Sequence, residues 1–452
     1  MSNGSPRIAV IGAGPAGLTA AFRLQRAGAE VRVFEARSQV GGRMHTDETD
    51  GFRIDGAAQL FGSTYTELFG LLRDAGASEL ARRTDGRDAL WRRGRAHEVV
   101  YGSTSSMLAT GAVPFTLKIR LGAKYLPFLT QHAARLQMHA LERAAPLDRD
   151  SIGEWGRREL GADFVDTMVH PLLAAGYGGA PEETGAAVYH MMAHHGMTTE
   201  VYALRGGAAT LCQALAARVR DGGGEVRTSA RVGALQLTPG GVHLAGEGWA
   251  ENFTGAVLAV AARTARELVG DELRGVGEWL ASVRYRPHLS LALLLDRPVG
   301  VEYFGLSFPR GESEVVAVAC VEENKAPELV PAGKGLIVAF PMPDQASRLL
   351  EADASSIVET MLPELRRAFP GLESRILRAR VYRWAEGVTL FYPGYVDHLQ
   401  RFSGGAAESE APLALAGDYL CAPTVEGAVL SGTRAAERLL RRLRAVDTPA
   451  AG

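Results

Sequence analysis

Three glycines and one acid have the clearest chemical purpose in this sequence. Gly12, Gly14 and Gly17 stand in G-x-G-x-x-G spacing, with Pro15 and Ala16 inside the pattern, and Glu35 follows further on. Such a set holds a dinucleotide. Gly12 permits a tight turn, Gly14 lets backbone approach a pyrophosphate, and Gly17 lets a helix press on a strand. A helix N-terminus there offers free N–H groups and the positive end of a dipole to phosphate. An acid about 20 residues past the glycines suits a ribose 2′-hydroxyl and argues against a bound 2′-phosphate. The elements that must position these groups can be read around them. Ile8 to Ile11 form an apolar run, as in a buried parallel strand. Leu18, Ala21 and Leu24 give a helical face, and a second strand, Glu30–Phe34, leads into Glu35 and Ala36. A lone glycine pattern is weak evidence, but strand, glycines, helix, strand and acid in register make a strong signal.

Glu35 does not separate NAD from FAD; Gly41-Gly42-Arg43 does, by returning backbone and a guanidinium towards the pyrophosphate soon after the second strand. Here the chain resembles the flavoprotein superfamily of amine oxidases, protoporphyrinogen oxidases and phytoene desaturases, whose members carry this E-x6-G-G-R extension and bind FAD. The resemblance covers nearly the whole chain. It implies an α/β fold: a Rossmann-like FAD-binding domain of the two-dinucleotide-binding type and a discontinuous α+β substrate domain of mixed sheet and helices. The expected division is 1–78, 202–284 and 385–452 for FAD, and 79–201 with 285–384 for substrate, the helical part spanning 105–200.

Composition narrows the rest. At 452 residues the chain suits two domains. Its 49 basic and 51 acidic residues nearly balance, giving no reason to expect a nucleic-acid partner. Cys212, Cys320 and Cys421 are far apart and odd in number, as in a reducing cytosol. The first residues show no charged segment followed by an apolar core, so no signal peptide is expected. The reading is cytoplasmic, with association at a membrane surface left open.

Gly51 to Phe61 follows the first unit as strand and glycine turn. In the superfamily a G-F-x-x-D-x-G segment runs beside the flavin ring, a role that falls here to Gly56 and Ala57. Val113 to Leu129 mixes apolar residues with Lys118, Arg120 and Lys124. Helix packing, a lid over a greasy substrate and a membrane-surface helix compete for it. Ser151 and Glu154 form a capping box. Tyr177-Gly178-Gly179-Ala180-Pro181-Glu182 resembles the protoporphyrinogen oxidase segment Y-G-G-x-P-E and would bring Tyr177 to a pocket. His190, His194 and His195 cluster without a third ligand type, so no metal is assigned.

The resemblance places backbone at Val232 beside the adenine. A second sheet is expected from Arg284 to about Trp384. Trp384 and Tyr392 would pack on flavin or substrate, or simply in the core. Leu413 to Asp418 reads as a strand ending at Gly417-Asp418, and Val425-Glu426-Gly427-Ala428 opens the last helix. This resembles the G-D … V-E-G-A-x-x-S-G segment that closes FAD sites. Asp418 would bond ribityl or phosphate-side groups. The N–H groups of Val425 and Glu426 would face N1 and O2 of the flavin, favouring its reduced state. Cys421 lies between these parts without the family's known cysteine-linkage motif.

The implied activity is FAD-dependent dehydrogenation of a bulky, largely apolar small molecule, by hydride transfer to flavin N5 with molecular oxygen as acceptor, in secondary metabolism. Amine oxidases of the superfamily usually carry a lysine on a substrate-domain strand; the matching position here is Ser290, and Lys118, Lys124, Lys325 and Lys334 are the only lysines. The alternatives are a protoporphyrinogen or coproporphyrinogen oxidase, an amine oxidase, and a non-redox flavoprotein isomerase. No catalytic side chain is assigned; Tyr177, Ser290, Trp384 and Tyr392 are the pocket candidates. The sequence assigns no oligomeric state.

Overall fold

The computed structural model describes residues 5–177, 179–270, 273–403 and 411–447; Gly178 of the tyrosine–glycine segment lies outside them. The apolar run at the start forms the strand Arg7–Ile11, with Ile8, Ala9 and Val10 fully buried. It is the centre of a five-stranded parallel sheet in the order 225–227, 30–34, 7–11, 255–258, 413–415. Ile8 lies between Val31 and Gly255, so sequence-distant strands meet on one buried strand. Both faces of the strands 7–11, 255–258 and 413–415 are covered, which is why they read as continuous apolar runs, whereas Glu30–Phe34 alternates and its Arg32 pairs with Glu225 and Glu251.

Three helices close this sheet: Pro15–Arg26, Ala209–Asp221 and Val425–Asp447. The first and last cross at backbone contact. A Cβ at Gly432 would collide with the carbonyl oxygen of Ala16, and one at Gly17 with that of Gly12. An antiparallel meander, 232–238, 241–246 and 249–253, sits beside the sheet.

The second sheet has seven strands in the order 376–390, 284–295, 335–341, 316–321, 305–307, 87–92, 95–100. It is larger than the sequence suggested. The hairpin Arg87–Val100 joins its edge, with Asp88 beside Gly305 in a parallel pairing. Nothing in the hairpin's own pattern says which sheet it will extend. One face packs on the helices Pro343–Leu349 and Ala354–Ala368 through Leu291, Ala319, Ile337, Ile357 and Met361. The other carries Ala292, Val318, Cys320, Val338 and Phe340, and meets Phe52 and Ile54.

Between the hairpin and residue 200 the chain is mainly helical. Phe115 to His132 runs helically through a π turn at Leu121–Tyr125. The capping box forms: Glu154 N donates to Ser151 Oγ (3.1 Å) and Ser151 N to Glu154 Oε2 (3.1 Å). Among the described residues no helix is long and apolar enough to cross a membrane.

Candidate functional site

The glycine loop takes the conformation that the spacing demands. Gly12 has φ +101°, and a Cβ there would collide with the carbonyl of Ala259. Gly14 caps the helix Pro15–Arg26, and a Cβ on it would meet nothing within 4 Å. Open space therefore lies in front of a helix N-terminus whose first turn carries no acid and no side-chain cap. Glu35 is buried; one carboxylate oxygen accepts from Ala13 N (2.8 Å), the other from Arg37 N (2.9 Å). Ala36 follows it, and Ala230 N donates to the Glu35 carbonyl (2.8 Å), which brings the strand beginning at Val232 alongside.

The second glycine turn docks on the first. Gly41 N donates to Ala13 O (2.8 Å), and a Cβ at Gly42 would lie 3.5 Å from Gly14 Cα. This delivers Arg43, whose guanidinium binds Asp418 in bidentate fashion (2.9 and 2.7 Å) and Gly387 O (3.1 Å). Thr389 Oγ1 also donates to Asp418 (3.1 Å). Burial works against the Arg43 charge, but Asp418 outweighs it and holds the guanidinium above its ordinary pKa. The Asp418 side chain is thus occupied by Arg43 and Thr389, while Gly417 N donates to Ser431 Oγ (2.9 Å).

Val425 starts the last helix, so its N–H and that of Glu426 belong to the turn that has no intrahelical acceptors. Ala428 N donates back to Thr424 O (3.1 Å). The Glu426 side chain has a separate task. It accepts from Glu67 N (2.8 Å) and Leu68 N (2.9 Å), capping the helix Thr66–Asp74. Burial pushes this carboxyl up to about 7 against those bonds. Tyr65, just before that helix, hydrogen-bonds both Thr424 and Tyr177, which places Tyr177 at this end of the site.

The seven-stranded sheet approaches through the Gly56 segment. Gly56 N donates to His45 O and Ala58 N to Arg43 O (both 3.3 Å), so Ala57 is pinned to the second glycine turn. Ser290, fully buried, donates to Gly56 O (2.6 Å). Across the sheet Ser290 pairs with Tyr382 and His288 with Trp384. A Cβ on Gly56 would lie 2.8 Å from both Trp384 and Tyr382, so only glycine fits beneath these rings. Ser290 and Trp384 therefore converge on Gly56. Tyr392 joins a different group: its hydroxyl donates to Ser282 O (3.1 Å), and Arg284 lies 4.5 Å over its ring.

Three participants were missed from sequence. His288 lies two residues before Ser290 on the same face, a period-2 relation that could have revealed it. Burial, then the Arg43 charge, pushes it down to about 4, so it is neutral, and its Nε2 has no partner among the described residues. Lys325 is fully buried with Glu322 at 2.5 Å and Asp55 at 3.5 Å, and it donates to Gln59 Oε1. A lysine does reach the Asp55–Gln59 segment, from far along the chain, but it is held in an ion pair. Asp88 is buried on the sheet face shared with Cys320; burial raises it to about 6, against bonds from Ala89 N and the Tyr101 hydroxyl.

Of the remaining candidates, His190 Nδ1 lies 3.1 Å from the Tyr125 hydroxyl. Among the described residues no three His, Cys, Asp or Glu side chains are grouped to hold a metal ion. Burial raises the Cys421 thiol to about 12, so it is not a thiolate.

These residues fit a dinucleotide with a second, flat ring system. The space before Gly14 and the helix N-terminus suit a pyrophosphate, Glu35 a ribose, and the Gly56 segment a planar ring.

Comparison with known proteins agrees. A protein of Mycobacterium tuberculosis named as a flavin-containing monoamine oxidase, AofH, is 33% identical over 153 residues, 33% of this chain; the aligned stretch is only 32% of that protein's length. The carotenoid phi-ring synthase of Streptomyces griseus is 27% identical over 97% of this chain and 88% of its own. The crystal structure of cyclohexylamine oxidase from Brevibacterium oxydans superposes with TM-score 0.75, at 19% identity, covering 97% of this chain and 100% of that one. The family model for flavin-containing amine oxidoreductases matches residues 15–440. The chain therefore belongs to the flavin-containing amine oxidoreductase family and is an FAD-dependent oxidoreductase.

Proposed function

We propose that this enzyme dehydrogenates a bulky, largely apolar small molecule bound between FAD and the seven-stranded sheet, with molecular oxygen as acceptor. The observation that carries this reading is the face around Gly56. Trp384, Tyr382 and Phe340 supply ring surface, Ser290 is spent on the Gly56 carbonyl, and His288 is neutral. Lys325, the charged group that reaches the segment, is neutralised by Glu322 and Asp55. Such a floor binds hydrocarbon well and, among the described residues, offers no free ammonium. Similarity along nearly the whole chain to a protein named for a carotenoid ring synthase supports the apolar class.

FAD supplies the two-electron acceptor. The chain's own residues bind and orient. The first glycine turn and Glu35 hold the adenosine half. Arg43, balanced by Asp418, sets the junction of the two glycine turns. With FAD bound, the N-terminus of the last helix would favour negative charge on the reduced flavin. We further propose the two-domain division given above, with residues 1–78, 202–284 and 385–452 holding FAD.

Buried Asp88 with Tyr101 favours a second reading, in which a substrate amine is received at the sheet edge. The test is anaerobic mixing of holoenzyme with a polyene panel, an amine panel and protoporphyrinogen, watching flavin absorbance. Bleaching by polyenes and not by amines supports the proposal. Bleaching by amines alone transfers it to the second reading. Product formation with an unchanged flavin would point to a non-redox isomerase.

A further inference from the structure

Large apolar side chains are exposed mainly on one part of this molecule. Among the described residues, Leu108 is 61% exposed, Phe115 75%, Ile119 54% and Leu126 43%. Phe115, Ile119 and Leu126 recur on one side of the helical run Phe115–His132, while Leu117, Tyr125 and Leu129 on its other side are buried. Leu108 joins them because Lys118 Nζ donates to the Leu108 and Thr110 carbonyls (2.6 and 2.7 Å). A packed helix does not leave Phe and Ile outward at i and i+4; something apolar meets them.

Charge names the occupant. The whole chain has net charge −2, yet between Arg93 and Leu147 seven Arg and Lys face two acids, Glu98 and Glu142; Lys118 is spent on backbone carbonyls and Arg120 on Asp163, which leaves Lys124, Arg135 and Arg143 as the cations of the helical stretch. Lys124 stands exposed within the apolar row, and Arg135 and Arg143 are exposed beyond it. An apolar stripe rimmed by cations matches an anionic lipid surface, with apolar groups below the headgroups and cations among them. The patch also adjoins the seven-stranded sheet. The strand Arg95–Val100 leads directly to it, and Tyr101, next in the chain and 39% exposed, hydrogen-bonds Asp88 on the inner face of the seven-stranded sheet.

We propose that this surface, centred on Phe115, Ile119 and Leu126, docks the enzyme in the plane of an anionic bilayer. No spanning segment is required. The inference does not rest on the substrate proposed above, because it is read by binding to lipid alone.

The test is flotation of full-chain holoenzyme with vesicles of phosphatidylcholine, with and without phosphatidylglycerol. Wild type is expected to float with the anionic vesicles and to be released by salt. The variant Phe115→Ser/Ile119→Ser should lose vesicle binding by at least about tenfold, and Lys124→Glu by about fivefold. Both should keep their flavin spectrum, since these side chains lie outside the core. Failure of wild type to float overturns the proposal, as does equal flotation of the serine variant. Sedimentation supplies a further arm: a wild-type dimer that dissociates in the serine variant, without vesicle binding, would assign the patch to a second copy of the chain instead.

Discussion

Glu426 allows a sharp test, because its backbone and side chain serve different partners. The helix Thr66–Asp74 has no cap of its own; its N-cap residue, Tyr65, makes no side-chain capping bond. The Glu426 carboxylate supplies it from the far end of the chain. Glu426→Ala removes both bonds. An orphaned buried N–H costs about 1–3 kcal/mol and a lost cap about 1 kcal/mol, so a loss of about 3 kcal/mol is expected. Glu426→Gln behaves differently. The folded carboxyl titrates at about 7 against 4.5 for the free group, because burial disfavours its charge. The folded state thus binds the proton more tightly, and this contribution to stability is full below about pH 4.5 and lost as pH rises to about 7. A difference of about 2.5 units corresponds to about 3 kcal/mol. Glutamine cannot ionise, but its NH2 group cannot accept, so at every pH one of the two N–H groups loses its partner. The glutamine variant should therefore be less stable than wild type by about 1–3 kcal/mol near about pH 4.5, with the gap shifting in its favour by up to about 3 kcal/mol by about pH 8. Urea unfolding followed by tryptophan fluorescence, at several pH values, measures both variants. If the alanine variant unfolds with wild type, the cap has no energetic weight. If the glutamine gap does not change with pH, or changes in the opposite direction, the carboxylate is not penalised by burial.

Other expectations follow from the same geometry. Gly14→Val should leave the stability of the FAD-free protein within about 0.5 kcal/mol of wild type, since a Cβ there meets nothing within 4 Å, yet abolish FAD binding measured by fluorescence titration; tight binding by this variant would remove the pyrophosphate from that space. Glu35→Ala should weaken FAD by about tenfold or more, read by the same titration, through the lost anchor to Ala13 N. Ser290→Ala should cost about 1–3 kcal/mol in urea unfolding by leaving Gly56 O without its donor, whereas Ser290→Thr should keep most of it; equal behaviour of the two would show that the hydroxyl is not what holds the segment. Asp88→Asn should gain stability relative to wild type as pH rises from about 4 to about 6 and then level off, because the buried carboxyl is raised to about 6 and its ionisation is what the folded state resists.

The parts of this enzyme that a reader of the sequence could find share one property: their meaning is local. The glycine spacing, the acid after the second strand and the Ser151–Glu154 box each declare themselves within a few turns of chain; the tight turn and the capping box form, and Glu35 is buried with its carboxylate on Ala13 N and Arg37 N. What was hidden depends on tertiary partners. Gly56 was readable as a small residue, but its reason, the rings of Trp384 and Tyr382 above it, comes from a strand more than three hundred residues later. Lys325 was visible only as a scarce residue, because its reach to Asp55 and Gln59 needs the folded sheet. His288 was legible in principle, one period before Ser290, but an apolar strand draws attention away from its first member. The edge hairpin at residue 87 continues a sheet whose other strands begin near residue 284, a link that no local pattern states.

The crossing of the helices Pro15–Arg26 and Val425–Asp447, where Gly432 rests on the Ala16 carbonyl, has a consequence for biogenesis. The strand and glycine turn that receive the nucleotide are made about four hundred residues before the helix that seals them. A nascent chain therefore holds an unfinished cradle until that late helix has emerged, and vitamin supply acts on the chain only from then on.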